Sequence, residues 1–200
     1  MSETEAPAGE SSPQSTRARL VRAMIDVVGS DGLAAASVRT IARRAGCNEA
    51  VLYQHFPSKL AMQQAIYEEI VREMAEAKRI AAGQASSPKE LIERWVAETY
   101  GFYDHNPAAF AYVYLSFPQL PLSDPAIATE NSRAFFAALK DLDPAMAACV
   151  LKHPHIVAMA KGVLLSVPRE IHEGALDGPA VDHTAAAAAV ILKILNEAAD

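Results

Sequence analysis

Every apolar pattern in this chain repeats with the period of a helix, and none alternates with the period of a strand. Over 16–31 the stripe is Leu20, Met24, Val27 and Val28; over 37–45 it is Val38, Ile41, Ala42 and Ala45. Met62, Ile66, Ile70 and Met74 recur four apart after Ser58, and Leu91, Trp95, Phe102 and Tyr103 follow at helical spacing. Alternating β-branched runs and hairpin dipeptides are absent, so the expected class is all-α with about nine helices. The start and stop signals agree. Ser37 and Ser58 are placed to cap, and Gly46 is placed to end a helix. SPKE at 87–90 reads as a capping box. Asn106-Pro107, Asp124-Pro125 and Asp143-Pro144 each set a capping side chain before a first-turn proline. Pro168 either kinks its helix or ends it. On the long helix after Ser58, Glu68, Glu69, Arg72, Glu73, Glu76, Lys78 and Arg79 read as its other, solvated faces.

Charge divides the chain. The formal net charge is −6, yet between Thr16 and Leu60 seven bases stand against three acids, a local +4. From Ala61 onward eleven bases face eighteen acids, a local −7. A local basic patch is the electrostatic footprint of nucleic-acid binding, whatever the overall charge. The expected organisation is a disordered lead-in at 1–15, a basic three-helix unit at 16–60 and an acidic helical body at 61–200. MSETEAPAGESSPQS carries acids where a secretory signal carries bases. The longest apolar run, AAAAAVIL at 185–192, is far shorter than the ~20 residues of a membrane span. Two cysteines, Cys47 and Cys149, make neither a disulfide framework nor a zinc site. A reduced, cytoplasmic protein without membrane contact is expected.

The stretch CNEAVLYQHFPSK at 47–59 concentrates the chemistry. Two short helices joined by Gly46-Cys47-Asn48 after an amphipathic first helix make a helix-turn-helix, whose second helix enters the DNA major groove. Leu52 and Phe56, four apart, face inward; Glu49, Ala50, Val51, Tyr53, Gln54 and His55 are left on other faces. Phenol, amide and imidazole groups reach phosphate oxygens or base edges, and Lys59 adds a phosphate charge at the next helix start. The alternative is that Tyr53 and His55 serve only packing.

Together these residues resemble the DNA-binding domain of the TetR family of transcriptional regulators. The family's pattern stands here as Ala23, Val27-Val28, Gly32, Ser37, Ile41-Ala42, Ala45-Gly46 and YQHFPSK at 53–59. The sequence departs from it at Asn48, where Ser is common, at Glu49, an acid near the base-reading positions, and in having no Arg or Lys between Gly46 and Pro57. The resemblance implies that Arg39, Tyr53, His55 and Lys59 contact or position phosphates. It also implies that Glu49, Ala50, Val51 and Gln54 face base edges beside Asn48. It further implies a C-terminal domain that dimerises through its last two long helices and holds a small effector among the middle ones.

The residues permit both roles. Val181, Ala185, Ala188, Leu192 and Leu195 form one stripe, and Ile156, Met159, Val163 and Val167 form another. A helix-turn-helix protein needs two half-sites ~34 Å apart, which favours a homodimer. Trp95, Tyr103, Phe110, Tyr114, Phe117, Phe135 and Phe136 crowd the middle helices, and the first six are candidates for an effector site that takes a lipophilic molecule. Glu98 or the tyrosine hydroxyls could orient it. His153 and His155 lie too close for one helical face, and no ligand cluster completes a metal site; no cofactor is expected. The expected function is a ligand-responsive, DNA-binding transcriptional regulator, a repressor released from a pseudopalindromic operator by its effector. It is not expected to be an enzyme: no paired carboxylates, nucleophile–base pair or phosphate loop occurs at motif spacing. The rivals are a helical enzyme or carrier with an incidental helix-turn-helix, and an interaction module that no longer reads DNA.

Overall fold

The computed structural model describes residues 13–116 and 126–197, which form ten α-helices with short 3-10 and π segments and, among those residues, no strand. They are α1 (Pro13–Asp31), α2 (Val38–Arg44), α3 (Glu49–His55), α4 (Lys59–Ala82) and α5 (Pro88–His105). After these come α6 (Pro107–Phe110), α7 (Glu130–Leu142), α8 (Pro144–Lys152), α9 (Pro154–His172) and α10 (Thr184–Asn196). The chain separates into two compact units at Met62/Gln63, inside α4. Helix α1 already begins at Pro13, inside the stretch expected as lead-in; residues 1–12 lie outside the described residues.

In the first unit α2 and α3 pack on α1. Leu20, Met24, Val27 and Val28 of α1 are buried with Ile41 and Ala42 of α2 and with Leu52 and Phe56. The turn has a local cause. Gly46 takes φ +68°, a left-handed conformation open to glycine, and lets its own N–H reach Arg43 O at 3.2 Å. The Cys47 N–H reaches Ala42 O at 3.0 Å, completing the paired bonds that close a helix C-terminus.

In the second unit α5 packs against α7, α9 and α10, and α9 against α8 and α10. Its core runs through Leu91, Trp95, Tyr100, Phe110, Leu139, Val150 and Ile191. The Asp104 carboxylate accepts the N–H groups of Ala180 at 2.7 Å and Val181 at 3.0 Å, tying the segment before α10 to the end of α5. Among the described residues no single helix is long and apolar enough to cross a membrane; α8 and α9 pass that test only as a pair bent by 98°.

Several local expectations need correction. Ser87 accepts the Glu90 N–H at 3.2 Å, but the Glu90 carboxylate turns to the N–H and hydroxyl of Ser86, so the box closes one residue early. Asn106 makes no side-chain cap, its backbone having left the extended cap conformation, whereas Asp143 accepts the Met146 N–H at 2.9 Å. Asp124-Pro125 lies outside the described residues. Pro168 is buried within α9 and does not end it, because the packing of α9 on its neighbours holds the helix across the missing N–H. Of the stripe offered for a partner helix, Ala188 and Leu195 are instead buried within the unit beside Ala187 and Ile191, while Val181 and Ala185 remain exposed. The largest correction is Lys78, expected on a solvated face and only 3% exposed.

Candidate nucleic-acid interface and effector cavity

Helix α3 is short, so its ends decide whether it forms. Asn48 caps it by accepting the Val51 N–H at 3.0 Å, and Pro57 follows its C-cap, Phe56. Leu52, with no exposed surface, and Phe56 anchor one face, and the Arg17 guanidinium stands 5.4 Å from the Phe56 ring centroid. The opposite face is open. Glu49, Ala50, Tyr53 and Gln54 are exposed, Tyr53 by 53%, and Val51 and His55 are half-buried. Arg39 on α2 is exposed, and Lys59 opens α4, whose first turn Ser58 caps by accepting the Ala61 N–H at 3.0 Å.

Among the described residues, none of Arg39, Glu49, Tyr53, Gln54, His55 and Lys59 uses its side chain in a hydrogen bond or ion pair. By contrast, the nearby Arg44 and Asp31 meet at 3.5 Å. The Asn48 amide oxygen is committed to its cap, leaving only its NH₂ for an outside partner. The first unit thus presents short-range hydrogen-bonding groups on a rigid, capped helix beside uncommitted cations.

The second unit contains a cavity of about 170 Å³. Its walls are Tyr67, Val71 and Lys78 of α4, Ile92 and Trp95 of α5, and Asn131, Phe135 and Phe136 of α7. Val157, Lys161 and Leu164 of α9 and Ile191 and Leu195 of α10 close it. Tyr114 enters from the π-helical segment Ala111–Ser116 that continues α6. Trp95 and Phe135 meet edge to face at 5.2 Å, and Phe135 and Phe136 at 5.5 Å.

Of the six aromatics named from sequence, Trp95, Tyr114 and Phe135 line this cavity. Tyr103 and Phe110 do not: they stack edge to face at 5.3 Å inside the core, the commoner fate of aromatics at helical spacing. Phe117 lies outside the described residues. Glu98 is exposed and does not line the cavity.

Of the polar wall, the sequence pointed to the Tyr114 hydroxyl but not to Asn131 or Lys78. The Asn131 NH₂ donates to the Tyr114 hydroxyl at 3.3 Å, while its carbonyl oxygen is buried without a hydrogen-bond partner in the protein. Burial, with the neighbouring Tyr67, raises the Tyr114 pKa, so the phenol stays neutral. Burial also lowers the Lys78 ammonium to about 7, partly opposed by Glu98. A signal for Lys78 existed: it continues the series Met62, Ile66, Ile70, Met74 at the next i+4 step. Among the described residues no group of three His, Cys, Asp or Glu side chains could hold a metal ion.

Residues 20–66 match the profile described as bacterial regulatory proteins, tetR family. The HTH-type transcriptional activator FasR of Mycolicibacterium smegmatis is 29% identical over 98 residues, which take in 49% of this chain and 45% of FasR, so the match spans under half of that relative. Among solved structures, a TetR family regulator from Marinobacter aquaeolei VT8 superposes with a TM-score of 0.74 at 18% identity, over 90% of this chain and 95% of that one. The regulator FadR of Bacillus subtilis, solved in complex with stearoyl-CoA, gives 0.61 at 12% identity over 87% and 96%. These likenesses establish the fold, and the proteins concerned are transcriptional regulators rather than enzymes. The helix-turn-helix segment thus matches the tetR-family profile, and the helical architecture of the described residues is that of solved TetR family regulators.

Proposed function

We propose that this protein is a ligand-responsive transcriptional regulator. As a homodimer in the cytoplasm it binds a pseudopalindromic operator through two copies of α3, and a small apolar effector in the second-unit cavity releases it. The observation that carries the reading is the open face of α3. Tyr53, Gln54 and Glu49 point away from the Leu52–Phe56 anchor with no partner of their own among the described residues. Arg39, Tyr53, His55 and Lys59 hold phosphates, and Glu49, Ala50, Val51 and Gln54 meet base edges, with Glu49 suited to accept from cytosine N4. Dimerisation through α9 and α10 is supported by their exposed apolar residues, Met159 at 56% and Val190 at 48%. Open space stands where a Cβ on Gly162 would be, so a second helix could approach α9 closely there. The bound stearoyl-CoA of the Bacillus subtilis relative supports a lipophilic effector. Effector and DNA then oppose each other through a reciprocal coupling of ~1–3 kcal/mol.

Selection of sites from a random duplex library, followed by anisotropy titrations at several salt concentrations, tests this. The expected result is a pseudopalindrome bound with a steep salt slope, because phosphate contacts release counterions. Failure to enrich any sequence at low salt, or unchanged affinity in the Tyr53→Ala, Lys59→Ala double variant, would sink the proposal. The absence of Arg and Lys from α3 favours one other reading, an interaction module that no longer reads DNA; a flat salt dependence would support it. Repression is the sign proposed here, although FasR carries the name of an activator; transcription in vitro from the selected site reads the sign directly.

A further inference from the structure

Of the two lysines lining this largely apolar cavity, Lys161 is exposed and Lys78 is buried, and the fold supplies Lys78 no carboxylate partner among the described residues. It is 3% exposed, its ammonium stands 5.1 Å from the Trp95 ring centroid, and it makes no ion pair or hydrogen bond with any described residue. Glu98 acts on it only through space. Burying an ammonium without an acceptor is unfavourable, and the ring face compensates only in part. Around it, Trp95, Phe135, Phe136, Val157 and Leu164 offer hydrocarbon; the other polar lining is Tyr67, Tyr114, Ser132, Lys161 and Asn131, whose carbonyl is unpaired. A cationic ligand would be repelled, and a neutral one could offer an acceptor but not the opposite charge.

We propose that the cavity binds an apolar carboxylic acid, with the hydrocarbon part among the aromatic and aliphatic walls and the carboxylate on the Lys78 ammonium. This rests on the reading of the cavity as the effector site and names the chemical class of the effector. Size supports a compact molecule: the cavity, at about 170 Å³, compares with an engineered apolar cavity of roughly 150 Å³ that takes benzene. The lowered pKa agrees with this placement, since a carboxylate beside Lys78 would draw a proton onto an amine that burial had left near neutrality.

The chain contains one tryptophan, Trp95, and it lies against both the cavity and Lys78, so its fluorescence reports binding without any DNA. Octanoate and phenylacetate are titrated against their primary amides. The acids are expected to bind tighter by about 10- to 100-fold, the scale of a charge-assisted hydrogen bond. Lys78→Met should abolish that preference while still binding the amides, and Lys78→Arg should retain it; helical circular dichroism checks that both variants fold. Equal affinity for acid and amide, or a preference that survives Lys78→Met, overturns the proposal but leaves an apolar effector site standing. No response to any probe overturns both. An acid preference in a protein that selects no DNA sequence would uphold the proposal and remove the regulator reading instead.

Discussion

Replacing Lys78 with methionine should make the protein more stable, and by an amount that depends on pH. Methionine keeps a flexible chain of similar length in the same space and removes the charge. Lys78 is lowered from 10.5 to about 7, chiefly by burial. At roughly 1.4 kcal/mol for each pKa unit, that gap corresponds to an upper bound of ~5 kcal/mol against the folded state. Relaxation around the amine reduces the realised value to ~2–4 kcal/mol, in the range seen when buried charges give way to apolar residues.

The sign follows from proton counts. Between pH 7 and 10.5 the unfolded chain holds a proton on this lysine and the folded chain does not, so wild-type stability rises with pH. Below about 7 both states are protonated and the penalty is complete. The gain from Lys78→Met is therefore largest near pH ~6 and fades towards pH ~10. Other charged or titratable groups facing Lys78 or the cavity are Glu98, which acts on the ammonium from outside the cavity, and the lining Tyr67, Tyr114 and Lys161. Burial raises Tyr67 and Tyr114, and Lys161 is present in both proteins; the Glu98 attraction favours the Lys78 ammonium, is already contained in the net lowering to about 7, and is lost with the side chain. Urea unfolding followed by Trp95 fluorescence reports the unit that holds Lys78, and the midpoint at a series of pH values gives the curve. A variant less stable than wild type near pH ~6, or a gain that does not change with pH, would refute the desolvation argument.

Other outcomes follow from the two units. Leu52→Ala removes a fully buried side chain that anchors α3, and should destabilise the first unit by ~2–5 kcal/mol in urea melts, with loss of DNA binding at temperatures where that unit opens. Lys59→Ala alone should lower the slope of log affinity against log salt by about 1 without changing the preferred sequence, which anisotropy titrations on matched and mismatched duplexes would read. Val190→Glu places a charge at an exposed apolar site on α10; sedimentation equilibrium should show a weakened dimer while helical content is kept, and an unchanged dimer would remove α10 from the interface.

What could be read from the chain alone was what its neighbours in sequence decide. The helix-turn-helix is legible because its determinants are local. Asn48 caps α3 three residues from its partner N–H, Gly46 takes the one conformation its turn requires, and Leu52 and Phe56 sit one helical turn apart. The all-α class followed likewise from period, and Asp143-Pro144 from first-turn chemistry. The second unit was legible only as helices. Whether Tyr103 or Tyr114 would line a cavity depends on which elements close around each, and both carry the same helical signal. Lys78 stands among Glu73, Glu76 and Arg79, so local charge pointed to solvent, and the i+4 series from Met62 to Met74 was the only hint of burial. Pro168 could not be placed because what carries α9 through it is packing on other helices, chiefly α10 and α8, rather than anything within its own turn. Local hydrogen bonding and periodicity determined the helices and their caps; which side chains meet an empty space, and which cation is stripped of water there, only the packing of distant helices could decide.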